Sequence, residues 1–208
     1  MAIASLSKFT VPLASDQSAS SQGMLMPKLK YRFRVMFENF GVSTPTTELT
    51  KQVAEAARPN VQFADQKIEV YNSTIHYAGR PTWQPVTIKL RDDVTGQVSK
   101  LVGEQLQKQY DFFEQSSAAS GGDYKFLMRV EMLDGGNGAN TPAVLETWEC
   151  YGCYIVSSNY NTLSYGGQEI LTVDLSIQAD NCIQTTGGAA APTQRAQGTA
   201  ATGAGNRV

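Results

Sequence analysis

Histidine is almost missing from this 208-residue chain: His76 is the single one. With no Ser-His-Asp or Cys-His arrangement around it, hydrolysis by an imidazole base has no footing, and His76 reads as a structural or surface residue. Cysteine is scarce too, at three. Cys150 and Cys153 form a C-x-x-C, but in strand-patterned sequence residues three apart face opposite sides. Zinc would need two more ligands, and only Cys182 and His76 remain. The thiols read as structural, with Cys182 the candidate for a cross-link to a neighbouring copy in an oxidising medium. Charge is thin: 17% of residues against about a quarter in an average soluble domain. A formal net charge of −2 offers no basic face for gripping free nucleic acid. No stretch approaches the roughly 20 apolar residues of a membrane span. Residues 1–27 also lack the apolar core of a secretory signal, so synthesis in the cytosol is expected. Asp92, Asp93 and Asp180 are scattered, without the context of a glycosidase pair. The glycine-rich run after Asp134 lacks the Lys-Ser/Thr ending of a phosphate loop. No catalytic residue, cofactor or metal site is expected, and the chain reads as non-enzymatic.

What the sequence has in quantity is alternation. Leu29, Tyr31, Phe33, Val35 and Phe37 point one way and Lys30, Arg32, Arg34 and Met36 the other, predicting a strand in which Lys28, Lys30, Arg32 and Arg34 share a solvated or interfacial face. Thr47 to Ala57 predicts a short helix or one side of a long hairpin. Between Arg58 and Asp93 three short β-patterned runs follow: Val61 and Phe63; Ile68 and Val70; Val86, Ile88 and Leu90. Tyr77 to Pro85 separates the last two, and its glycine and two prolines predict a loop. That loop either turns a corner or presents Arg80 and Trp83 to a partner, since arginine and aromatic residues are enriched at interfaces. Arg58, at the start of this stretch, is a further candidate contact.

One good helix follows. Val98, Leu101, Val102, Leu106, Tyr110 and Phe113 fall on one stripe, Asp92 to Thr95 supplies a cap, and Ser116 to Gly122 supplies the stop. Lys125 to Met132, Leu145 to Val156 and Gln168 to Ala179 alternate as strands. The last two are joined by a loop carrying Tyr160 and Tyr165, also candidate contacts. The fold class read from this pattern is mainly β and antiparallel, with one flanking helix. Residues 1–27 read as an N-terminal arm, 28–182 as the domain and 183–208 as a Gly/Ala/Thr-rich C-terminal arm too poor in apolar residues to build a core.

Arg58-Pro59, the Lys67-Ile68 strand, Tyr77-Ala-Gly79, Trp83 before Val86 to Ile88, and the amphipathic helix resemble the tail tube proteins of contractile-tailed bacteriophages. Trp148 to Ile155, Tyr160 to Tyr165 and Glu169 to Asp180 resemble that family's final hairpin, so the likeness spans roughly 28 to 182. It implies a β-sandwich with a flanking helix. It further implies hexameric rings whose inner strands join into one continuous β-barrel, stacked as a tube inside a contractile sheath. The implied partners are further copies of the chain, the tail sheath protein, baseplate and tail terminator proteins, the tape measure protein, and DNA passing through the lumen. The implied place is the tail of the virion, assembled in a bacterial host. A strand such as Leu171 to Gln178, polar yet broken only by Asp174, suits a passage that must not grip a polyanion, and a neutral to acidic lumen is expected. Bacteriocin and type VI secretion tubes share this architecture. A small-ligand-binding β-barrel would show similar alternation.

Overall fold

A computed structural model of the chain describes residues 28–42, 46–135 and 142–186. The expected N-terminal arm, the C-terminal arm from 187 onward, and the middle of the glycine-rich loop lie outside the described residues. The chain divides into two units, 1–32 and 33–208. Of the first, residues 28–32 contain a turn in which the Arg32 N–H donates to the Leu29 carbonyl at 3.2 Å. The Arg32 guanidinium lies over the Tyr31 ring, 5.4 Å from its centre. The strand expected from Leu29 therefore starts only at Phe33, because the turn has already taken up these backbone groups. The four basic residues do not share a strand face: Arg34 alone lies in the strand, with Nε 2.9 Å and Nη2 2.5 Å from Glu131 Oε2.

The second unit is built of β1 (Phe33–Glu38), α1 (Thr47–Gln52), β2 (Val53–Ala56), β3 (Val61–Val70), β4 (Ser73–Trp83) and β5 (Val86–Arg91). It continues with α2 (Gln97–Gln109), β6 (Tyr110–Asp111), β7 (Ser116–Ser117), α3 (Gly121–Tyr124), β8 (Phe126–Leu133), β9 (Val144–Asn159), β10 (Thr172–Gln178) and β11 (Asn181–Thr186). Every strand pairing is antiparallel, as the alternation predicts. The organising element is β9, 16 residues long. Its first part lies between β8 and β11 and, with β1, forms one sheet. Its last part, Tyr154 to Asn159, pairs with β10, which continues through β5 to β2 as a second sheet. β11 carries the fold past residue 182.

One core gathers Val35 and Phe37 of β1, Met128 and Val130 of β8, Ile88 and Leu90 of β5, Val173, Leu175 and Ile177 of β10, and Val98, Leu101 and Val102 of α2, none more than 2% exposed. Phe37, Phe40 and Phe126 cluster beside them, with ring centres 4.9 to 6.4 Å apart. Burial of these aliphatic and aromatic side chains is the main stabilising term, roughly 1.5 to 3 kcal/mol for each fully buried one. The expected cap of α2 is present: Asp93 Oδ1 accepts the Gln97 N–H at 3.2 Å. Its expected length is not. Asp111 Oδ1 accepts the N–H groups of Phe113 and Glu114 at 2.9 and 3.2 Å, which draws the backbone out of the helix and leaves Phe113 94% exposed. The same backbone bonds lower the Asp111 pKa.

β3 and β4 overturn one reading. Tyr77 to Pro85 is not a loop up to Trp83: Gly79 and Pro81 sit within an 11-residue strand. They are tolerated because this is a two-stranded hairpin with no strand beyond β4 among the described residues. At Gly79 an added Cβ would lie 2.7 Å from the Ala64 carbonyl oxygen, beside the bulge between Phe63 and Asp65.

Candidate functional site

The hairpin β3–β4 is inserted between β2 and β5, which pair with each other. Its base is fastened by the Gln84 N–H to the Asn60 carbonyl at 2.9 Å and by Gln178 Nε2 to the Trp83 carbonyl at 2.9 Å. Beyond that base it carries an apolar face that none of the described residues covers. Ile68 pairs across the strands with Ile75 and Gln66 with Tyr77. Ile68, Val70, Ile75 and Tyr77 are each about half exposed, and Tyr71 at the tip fully so. The opposite face is polar: Lys67 Nζ lies 2.9 Å from Glu69 Oε1, and His76 Nδ1 lies 3.0 Å from Asp65 Oδ2. The one histidine is thus half of an exposed hydrogen-bonded couple. A two-stranded hairpin is marginal in water by itself, and an exposed apolar face on one marks a candidate contact surface.

The outward faces of the two sheets differ in charge. Across β1, β8 and β9 run ion pairs: Arg34 with Glu131, and Arg129 with Glu38 at 2.6 Å and Glu149 at 2.9 Å. Tyr151 donates to Glu149, a bond that raises its pKa. The outward face of β2, β5, β10 and the end of β9 is mostly neutral. An open groove of about 610 Å³ runs over it, lined by Glu55, Thr87, Lys89, Ser157, Asp174 and Ser176 among others. Lys89 is balanced by Glu55 at 4.0 Å. Asp174 Oδ2 accepts from Asn161 at 3.2 Å, and its other oxygen is buried without a hydrogen-bond partner.

The sheet of β9, β10, β5 and β2 has two open edges among the described residues. Among the described residues β2 pairs only with β5. On the other side, β8 pairs with β9 only as far as Cys153, so beyond that point one edge of β9 has no strand beside it among the described residues. Gln109, the last residue of α2, meets this edge: its Nε2 donates to the Ile155 carbonyl at 3.0 Å and its Oε1 accepts the Ile155 N–H at 2.8 Å. One turn earlier, the fully buried Gln105 accepts from the Gly41 N–H at 3.0 Å and donates to the Tyr124 carbonyl at 2.6 Å. Both glutamines lie on the stripe read from the sequence as apolar. The signal was present as polar residues four apart among core positions.

The sequence-derived candidate contacts fall in three places. Arg58, in the linker to the hairpin, lies 3.9 Å from the buried Glu146, which also accepts from the Trp148 indole at 2.6 Å. Arg80 and Trp83 lie on β4, Arg80 exposed and Trp83 half-buried against the core. Tyr160 and Tyr165 lie beyond β9 in a loop that also exposes Leu163 and Ile170.

The cysteines correct a second reading. Cys150 and Cys153 both face the core, each 0% exposed. Gly152 between them has φ +64°, and Phe126 and Met128, two apart on β8, face Cys153 and Cys150, three apart on β9. The extra residue resets the alternation. Cys182 lies opposite Cys150 in register and is 7% exposed, so a cross-link to another copy requires bringing that side chain out. The hydrogen bond with Cys182 and burial push the Cys150 thiol up, and burial pushes Cys153 up to about 12. Among the described residues no group of His, Cys, Asp and Glu is placed to hold a metal ion, and no helix is long and apolar enough to cross a membrane.

The chain matches no protein-family model and no curated protein. It does share its fold with parts of contractile injection particles. It is similar to the tube-terminating cap of the anti-feeding prophage, with TM-score 0.58 and 14% identity over 85% of this chain and 99% of that one. It is also similar to a chain of the sheath–tube complex of an extracellular contractile injection system in its extended state, with TM-score 0.54 and 16% identity over 82% and 99%. A chain of the six-fold symmetrised anti-feeding prophage baseplate gives TM-score 0.53 and 12% identity over 78% and 98%. The expected mainly β, tail-tube-like fold is therefore the fold of the chain. The monomer itself is not a closed barrel.

Proposed function

We propose that this chain is a non-enzymatic structural subunit of a contractile tail, and that six copies close into a ring of the inner tube. In this reading the sheet of β9, β10, β5 and β2 joins its neighbours edge to edge into an inner barrel, and rings stack with the sheath outside. The tube ends against baseplate and terminator proteins, and a tape measure protein and then DNA occupy the lumen of a phage virion. The observation that carries the proposal is the β3–β4 arm, whose uncovered apolar face fits a neighbouring copy better than it fits water. The two open edges of a four-stranded sheet add to it, since ring closure satisfies both at once. The mostly neutral face of that sheet suits a lumen that lets a polyanion pass, and the ion-paired face of the other sheet suits the outside.

A second reading, the tube or cap of an injection particle that carries protein in place of DNA, is favoured by the likeness to extracellular injection devices. The small-ligand barrel loses its main support, because the core is filled by packed side chains. Electron microscopy of the purified protein over a concentration series tests the proposal. Rings or hollow tubes of uniform width are expected; compact monomers at every concentration would overturn it. Nuclease-protected DNA inside particles purified from the native source would then favour the phage over the protein-carrying device.

A further inference from the structure

We propose that Gln109 is the register stop of the joint between neighbouring copies, holding the incoming strand to the last four residues of β9. The inference rests on the ring reading and adds a residue that sets how the sheets meet. A carboxamide presents one N–H donor and one C=O acceptor side by side, the same pair that a strand partner presents. Gln109 uses both on Ile155, at 3.0 and 2.8 Å. Ile155 is opposite Ile177 in β10, and with both its main-chain groups turned to Gln109 it faces away from β10. Through the bulge between Ile155 and Ser157, Ser176 is opposite Ser157 and Leu175 opposite Ser158. Ser158 is then the next residue whose N–H and C=O face the open side. From Val156 to Asn159, where β9 ends, four residues of edge remain.

The matching strand is at the far side of the same sheet. β2 is four residues long, and among the described residues it has a partner on one side only. A second copy's β2 therefore fits the free stretch in length. An open groove of about 520 Å³, lined by Gln109, Tyr110, Tyr124, Tyr154, Ile155 and Val156, borders the start of this edge and reaches the free stretch only at Val156. Without Gln109 the edge would stay open back to Tyr154, and an incoming strand could slide by two residues and keep its side chains on the same faces. Such a slip would alter the angle between copies, and with it the number that closes a ring.

Two variants and one exchange measurement test this. Ser158→Pro removes an edge N–H that the joint needs; it should leave the monomer folded and abolish rings in native mass spectrometry. Gln109→Ala should still give rings, with the single subunit number of the parent replaced by a mixture. Uniform parental rings from Gln109→Ala would overturn the register stop and leave the ring reading standing. Absence of rings from the parent chain at every concentration would overturn both. Should Gln109→Ala fail to fold, hydrogen exchange on the parent decides. The Ser158 amide should exchange at least about tenfold more slowly in rings than in monomers, while the Ile155 amide is equally protected in both. Ring-dependent protection at Ile155 would show that Gln109 gives way to the strand, and would refute the stop.

Discussion

Replacing Ile68 and Ile75 together by threonine tests whether the hairpin is an assembly element. The two are cross-strand partners, 52% and 47% exposed, so about half of each side chain remains to be buried by a neighbour. Full burial of such a side chain is worth roughly 1.5 to 3 kcal/mol, which leaves about 1 kcal/mol for each at the interface. The pair should therefore weaken each arm contact by about 2 kcal/mol, a factor of roughly 30 in its association constant. Threonine keeps the β-branched shape, so the hairpin still forms, and the isolated monomer should lose less than about 1 kcal/mol. Sedimentation velocity over a concentration series should show the assembly midpoint rising at least about 30-fold. Urea unfolding at low concentration should barely move. Glu69→Thr, on the opposite face, is the control and should leave both unchanged. An assembly midpoint within threefold of the parent, or a loss confined to monomer stability, would refute the reasoning.

Three further outcomes follow from the core. Gly152→Ala puts a Cβ 2.2 Å from Asp180 Oδ2 at a φ of +64°, disturbing the 2.5 Å Lys125–Asp180 ion pair. It should cost about 2 to 4 kcal/mol in chemical denaturation, falling to about 1 to 2 in an Asp180→Gly background; equal costs in both would discount the clash. Gln105→Leu strands the Gly41 N–H and the Tyr124 carbonyl and should cost about 2 to 4 kcal/mol by the same assay, while a change under 1 would show that water replaces it. Cys153 is raised from 9.0 to about 12: unfolded thiols ionise above 9 while the folded one keeps its proton, so its contribution is intact below pH 9 and lost towards 12. Unfolding free energy should fall with a slope of up to about 1.4 kcal/mol per pH unit for this group, and Cys153→Ala should flatten the fall; identical pH profiles for the two proteins would count against it.

Much of this fold is legible in the alternation of the sequence. Val173, Leu175 and Ile177 are buried as their spacing predicts, and so are Val98, Leu101 and Val102 on the helix. The failures share one cause, a residue type read by its average behaviour where local pairing overrides it. Pro81 implies a loop only if a strand must receive its missing N–H, and among the described residues no strand lies on the side of β4 away from β3. Cys150 and Cys153 face opposite sides only while the period of two holds, and Gly152 interrupts it. Tyr110 and Phe113 continue the helical stripe on paper, but the Asp111 carboxylate takes the N–H groups that a further helical turn would use. The arm as a whole escaped because exposed apolar residues on both strands look, in one dimension, like core. Gln105 and Gln109 were passed over for the opposite reason: a polar side chain among apolar positions becomes informative only when the backbone it satisfies is known.

β9 belongs to both sheets without a break in its chain. A load applied to one sheet therefore reaches the other along covalent peptide bonds. Where that load acts along β9, the adjoining strands meet it in shear, with many ladder hydrogen bonds resisting together. In the proposed tube, force would pass along the backbone within each subunit and only across hydrogen-bonded and packed joints between subunits.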